Sequence, residues 1–430
     1  MNPLYRNDRP GTFPESYYVA TADIPAERPS LDGDARADVA VIGAGYTGLS
    51  TALHAAEKGL SVIVIDAHRV GFGASGRNGG QVGTGWNKDQ HWLDRRFGKE
   101  DARRLWDLTV EAKALTRSLA TAHAPDAAYK PGVLHGEWTL NGAEASRRYA
   151  NWLLQEYGYE TRYFDREEVQ DVCRSRVYVG GLLDMDAGHI HPLRYCFGLA
   201  RAAEAAGAVI HERTEALRLS EGRIETASGA IHADHIVIAG NGYLSNIDGY
   251  VAARVMPINS FIAATEPLGD RADEVLPMDV AVADDRFVVN YFRLSEDKRL
   301  LFGGRENYGL GFPTDILTAL RARMERLFPQ LAGVGIDYHW GGTLGITMHR
   351  LPMVRRIDRT TLVAGGFSGH GVALTGLTGK IMAEAIAGQA GRFDLLSSLP
   401  VQRFPGGAAA RAPLLTLAMT WYSLRDRLGI

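Results

Sequence analysis

The stretch Asp38-Val39-Ala40-Val41-Ile42-Gly43-Ala44-Gly45-Tyr46-Thr47-Gly48 decides the fold of this 430-residue chain. Residues 38–42 form a short apolar, partly β-branched run that stops on glycine. A helical pattern follows from Tyr46 to Lys58, with Gly59 placed as its C-terminal stop. A second buried strand is expected over Ser61 to Asp66. Strand, glycine turn, helix and strand within roughly 30 residues make a βαβ unit. Its two strands should be parallel neighbours joined by a right-handed crossover. The turn has the spacing G-x-G-x-x-G: Gly43 permits the tight turn, Gly45 lets backbone approach a pyrophosphate, and Gly48 allows close helix-strand packing. Asp66, 23 residues after Gly43, is placed to accept hydrogen bonds from a ribose.

Working outward, 430 residues exceed what one core usually carries, so two domains, or one with a large insertion, are expected. Hydrophobic residues are 46%, charged residues 23% and aromatics 9%, the balance of a globular protein. A formal net charge of -3 gives no sign of a nucleic-acid partner. Cys173 and Cys196 lack C-x-x-C or metal-ligand spacing and read as reduced thiols of a cytoplasmic protein. The N-terminus shows no apolar signal region. Ala412 to Leu424 falls short of the about 20 residues that span a bilayer, so no integral membrane segment is expected. Oligomeric state is not legible.

Residues 1–37, rich in proline, read as an arm over the surface. Charged helical segments follow from about His91 to His123, and Tyr129 to Leu140 reads as strand. Parallel α/β character returns with a helix from about Pro192 to Ala206, strand Val209-Ile210, a hairpin through Glu221-Gly222, and strand His235 to Gly240. Residues 257–344 look antiparallel, with runs such as Phe287-Val288-Val289 and Leu300-Leu301-Phe302 and one helix near Pro313 to Phe328. Thr361 to Ala364 and the helix after it complete the α/β part. The expected architecture is a Rossmann-like α/β nucleotide-binding domain assembled from residues 1–88, 187–256 and 345–430. A second domain, antiparallel sheet plus helices, comes from residues 89–186 and 257–344.

Two further glycine-rich turns carry chemistry. Gly71 to Gly76 also matches G-x-G-x-x-G, but Gly79-Gly80 follows and adjacent glycines are poor helix formers. It reads as a loop passing close to a large planar or phosphorylated ligand, with Ser75, Arg77 and Asn78 offering donors. Gly365 to Gly371 lies between a buried strand and a helix, giving a second helix N-terminus. A nicotinamide cofactor needs one such terminus; FAD stretched across a sheet uses one at the pyrophosphate and one at the flavin pyrimidine, where the positive dipole stabilises reduced flavin.

GAGYTGLS at 43–50, VGFGASGRNGGQ at 70–81, GHIHPL at 188–193 and FSGHGV at 367–372 resemble the D-amino-acid-oxidase-type FAD-dependent amine oxidoreductases. The likeness extends to residues 328–340, 404–407 and 422–429. It implies FAD between two domains, hydride transfer to flavin N5 from a carbon next to nitrogen, and hydrogen peroxide as product when oxygen accepts the electrons. The expected substrate is γ-glutamylputrescine, giving an imine, then aldehyde and ammonia. A cyclic or N-methyl amino acid such as pipecolate or a sarcosine-like compound stays open, as do a quinone or carrier acceptor and a non-catalytic flavin-binding protein.

By the same resemblance Gly43, Gly45, Tyr46, Thr47 and Gly48 hold the pyrophosphate, and Asp66 with Ala67 the adenosine ribose. Gly73, Ala74, Ser75, Gly76, Arg77, Asn78, Gly79, Gly80 and Gln81 pass the flavin, Ala216 meets the adenine, and Gly240 borders the cofactor. Gly366, Phe367, Ser368, Gly369, Gly371 and Val372 meet the pyrimidine side. No cysteine lies near these segments, so non-covalent FAD is expected.

Amine oxidation requires the neutral amine, so an apolar, aromatic pocket that disfavours ammonium is expected. Trp86, Tyr243, Tyr291 and Trp340 are candidates for its walls, with Trp86, Tyr291 and His370 nearest the chemistry. Arg293 and Arg305 are candidates for a bidentate grip on a distal substrate carboxylate. His189 and His191 alternate like strand residues and lack an evident third ligand, so no metal site is expected.

Overall fold

In the computed structural model, residues 4–244, 247–286, 288–307 and 311–406 are described, and of residues 305–307 the backbone alone. The run that begins the βαβ unit becomes the strand Ala35–Ile42, the turn leads into the helix Tyr46–Ala56, and the next strand is Val62–Ile65. Both neighbours of Ala35–Ile42, namely Val62–Ile65 and Ala230–Ile238, run parallel to it. Across the sheet the order is Met353–Arg356, Thr361–Gly365, Ala230–Ile238, Ala35–Ile42, Val62–Ile65 and Val209–His211, with only Met353–Arg356 antiparallel to its neighbour. The hairpin Arg218–Ser220 and Arg223–Glu225 joins off this path, Arg223–Glu225 pairing antiparallel with the start of Ala230–Ile238.

Strand alternation sorts the side chains of this sheet onto two faces. Val39 and Val41 enter a core shared with Leu49, Leu53, Leu374, Leu377 and Ile381, whereas Ala40 and Ile42 enter a second core with Ile63, Ile236 and Val363. The helices Tyr46–Ala56 and Val372–Ile386 lie against one another, and Ser50 Oγ donates to Gly376 O at 2.6 Å.

The second sheet reads, in order, Ile336–Ile346, Met256–Thr265, Leu300–Asn307, Tyr291–Leu294, Ala281–Asp284, Lys130–Glu137, Gly180–His189 and Gln81–Val82. It is antiparallel except where Ala281–Asp284 pairs with Lys130–Glu137. Leu134, Val282, Phe292 and Phe302 bury one face against the helix Leu317–Leu327. The opposite face, carrying Val133, His135, Ala283 and Tyr291, looks toward the first sheet across a cavity.

Several expectations are corrected. The proline-rich arm is not wholly superficial: Ser16 Oγ caps a short helix, Tyr17–Thr21, and Tyr18 is fully buried against Trp340 and His191. Gln90–His123 breaks at Gly98, and its apolar residues Leu105, Leu108 and Leu119 join the core of the nucleotide-binding helices. His191 is not a strand residue; its Nδ1 accepts from Arg194 N at the start of the helix Pro192–Ala205. The run at 287–289 is not a strand at Val288 and Val289, and Phe287 lies outside the described residues, as do residues 407–430. Among the described residues no helix is long and apolar enough to cross a membrane, and no cluster of metal-ligating side chains occurs.

Candidate active site

A cavity of about 530 Å³ runs between the two sheets. One end is walled by Asp66, Ala67 and His68 and by Thr214, Glu215, Ala216 and Leu217; the middle by Gly43 to Thr47 and Gly73 to Ser75; the other end by Gly79, Gln81, His135, Ser260, Tyr291 and His370. The motif turn is shaped by close approach. A Cβ on Gly48 would stand 1.9 Å from Gly43 O, and one on Gly45 would meet Ser75 Oγ at 2.8 Å.

Asp66 closes the turn from the next strand: Oδ2 accepts from Ala44 N and Oδ1 from His68 N, both at 2.8 Å. Burial pushes its carboxyl upward, opposed by those two N–H donors. Ser75 Oγ accepts from Tyr46 N at 3.1 Å, tying the second glycine loop to the first. The helices Tyr46–Ala56 and Val372–Ile386 both begin at the cavity, at Gly45 and Gly371, and neither has a side-chain cap. Two positive helix termini therefore face one elongated cavity. The donor set suits a long ligand with a ribose, a diphosphate and an electron-accepting ring, which is the chemistry of FAD.

At the other end, Tyr291 lies between two glycines: Cβ atoms on Gly79 and Gly303 would meet its ring at 2.8 and 2.1 Å. Its hydroxyl and Ser260 Oγ are 3.2 Å apart. His370 Nε2 donates to Gly85 O at 3.0 Å, and burial, with His135 opposing a second positive charge, lowers its pKa. His135 is exposed to the lumen although protein surrounds it, and among the described residues nothing hydrogen-bonds its imidazole. Burial lowers its pKa as well, against the pull of Asp184.

Most residues singled out in the sequence converge here. Gly43, Gly45, Tyr46, Thr47, Asp66, Ala67, Gly73, Ala74, Ser75, Arg77, Asn78, Gly79, Gln81, Ala216, Gly240, Tyr243, Tyr291, Phe367, Ser368, Gly369, His370, Gly371 and Val372 line the cavity. Gly48, Gly76, Gly80 and Gly366 shape the turns without lining it.

Trp86 does not line the cavity: its Nε1 donates to Leu105 O at 3.2 Å within the core. Trp340 stands behind the wall, donating to Arg77 O at 2.9 Å. Arg293 is consumed as an internal strut, donating to Gly79 O, Ile190 O, Leu294 O and Tyr18 OH, so it has no fork left for a carboxylate. Arg305 has its backbone in Leu300–Asn307, and its side chain lies outside the described residues.

Among the cavity residues that escaped the sequence reading are His135, Asn87, Ser260 and Arg350. Asn87 Nδ2 donates to Arg350 O, Phe367 O and Ser368 O, clamping two turns together. Arg350 and Ser368 in those turns both hold positive φ, 59° and 56°.

Fold and site together define a flavin-dependent oxidoreductase. Residues 38–385 match the DAO family, FAD dependent oxidoreductase, and the chain belongs to it, with FAD as its cofactor. The chain is 44% identical over 420 residues to the probable oxidoreductase OrdL of Rhizobium meliloti (strain 1021), covering 96% of this chain and 97% of that one. It is 37% identical over 424 residues to γ-glutamylputrescine oxidoreductase of Escherichia coli (strain K12), covering 96% and 99%. Glycine oxidase from Geobacillus kaustophilus shares the fold at a TM-score of 0.69 and 21% identity, over 84% of this chain and 98% of that chain.

Proposed function

We propose that this protein oxidises the primary amine of γ-glutamylputrescine with oxygen as electron acceptor. The observation that supports the reading most is the 37% identity to γ-glutamylputrescine oxidoreductase along 99% of that relative's length. In balance, RCH2NH2 and O2 give RCH=NH and H2O2, and water converts the imine to aldehyde and ammonia. Bound FAD supplies the acceptor for the hydride leaving the carbon beside nitrogen.

The chain's own residues do the rest. Gly43, Gly45, Tyr46 and Thr47 cradle the diphosphate, Asp66 accepts from the ribose, Ala216 meets the adenine, and Gly369 to Val372 present a helix N-terminus to the flavin. His135 and His370, kept neutral by burial, repel no cation but offer ring nitrogens that hydrogen-bond the neutral amine. Tyr291 and Ser260 close the chamber, and Arg350 takes over from Arg293 as the group for the distal carboxylate.

A peroxide and ammonia assay over γ-glutamylputrescine, N-acetylputrescine, putrescine, glycine and proline tests this. The highest kcat/KM is expected for γ-glutamylputrescine; a preference for glycine or proline contradicts the substrate. Arg350→Leu should raise KM for γ-glutamylputrescine about 10-fold or more while leaving N-acetylputrescine unchanged. Equal effects on both amines would remove Arg350 from that role.

A further inference from the structure

The N-terminal arm meets the cavity at the end walled by Asp66 to His68 and Thr214 to Leu217, where Leu4 is itself part of the wall. The arm's contacts reach four positions along the chain, His68, Arg77, Glu215 and Phe312. His68 Nε2 donates to Leu4 O at 2.9 Å while its Nδ1 accepts from Gly11 N at 3.1 Å, so one neutral imidazole fastens the arm at two points. Tyr5 OH donates to Glu215 Oε2 at 2.7 Å, beside Ala216. Asp8 pairs with Arg77 of the second glycine loop at 2.9 Å, with side chains only 9% and 2% exposed. Asn7 Oδ1 accepts from Phe312 N at 2.9 Å, across from the second-sheet side.

We propose that residues 4–11 are part of the cofactor site, closing the nucleotide end of the cavity and slowing the release of FAD. The inference rests on the placement of the adenosine at Asp66 and Ala216 given above. With the arm in place FAD leaves only after these bonds break, including an ion pair that water does not screen. Tyr5 and Asp8 are positioning residues: they hold the wall and Arg77 without reacting.

The holoenzyme with Tyr5→Phe, and a second form lacking residues 1–10, are compared with the parent for FAD release, followed as flavin fluorescence after dilution. Tyr5→Phe should speed release about 5-fold and the truncation more than 10-fold. FAD should also protect the arm from trypsin at Arg6 in the unaltered chain. Unchanged release in a folded Tyr5→Phe protein, together with equal cleavage with and without FAD, would overturn the proposal. Gly45→Val, outside the arm, separates the causes. Loss of FAD there with no effect of the arm changes sinks the arm alone, whereas retained FAD sinks the cavity placement and the proposal with it.

Discussion

Gly48 has no room for a side chain, since the atom a Cβ would strike at 1.9 Å is the carbonyl oxygen of Gly43, which cannot rotate away. Gly48→Ala should therefore cost roughly 2–4 kcal/mol and strip FAD, read as a lowered melting temperature and a lost visible band. Gly45→Val should also lose FAD, although the first atom met there is the movable Ser75 Oγ. Glu137 makes a prediction of another kind. Burial, then the neighbouring Asp285 and Asp284, push its carboxyl up to about 7, opposed by Ser146. Between the ordinary glutamate range and that value the folded chain holds more protons than the unfolded one, so this contribution to stability is lost as pH rises. Glu137→Gln should accordingly raise the melting temperature more at pH 8 than at pH 5. His189 has the opposite sign: burial, then Arg293, lower it to about 3, so its contribution is full above pH 6.5 and is lost as pH falls toward 3. His189→Gln should flatten the loss of melting temperature between pH 6.5 and 4.

The strand Lys130–Glu137 shows what an element adds to its residues. Leu134 belongs to the core and His135 to the cavity because alternation throws them to opposite faces. His135→Leu should leave flavin content unchanged, raise KM for the amine about 10-fold, and alter the acid limb of the kcat/KM profile. His135 contributes to that limb below pH 6.5, beneath the fall that protonation of the substrate amine imposes, because the folded imidazole binds its proton less readily than a free one. An unchanged profile would assign His135 a packing role. The glycine turns were legible in the sequence because their spacing and flanking periodicities are local. His135 was not, since its facing depends on the register Ala283 with His135 and on where the first sheet lies. Arg293 was misread for a related reason: the acceptors that consume it, Gly79 O, Ile190 O and Tyr18 OH, come from three distant parts of the chain.

At the scale of the molecule, two sheets drawn from interleaved segments face one cavity, with helix N-termini at Gly45 and Gly371 on the nucleotide-binding side and Tyr291, His135 and Ser260 on the other. That division was visible early, as parallel-strand segments alternating with antiparallel ones. The allocation of Gln90–His123 was not, because a long amphipathic helix carries no mark of which core it will join. This cavity should bind FAD and deliver an amine to it. The most direct test is the visible spectrum of the anaerobic holoenzyme during titration with γ-glutamylputrescine, followed by admission of air. The flavin band should bleach stoichiometrically with the amine and return in air with one peroxide per amine oxidised. A band that no amine bleaches would contradict it.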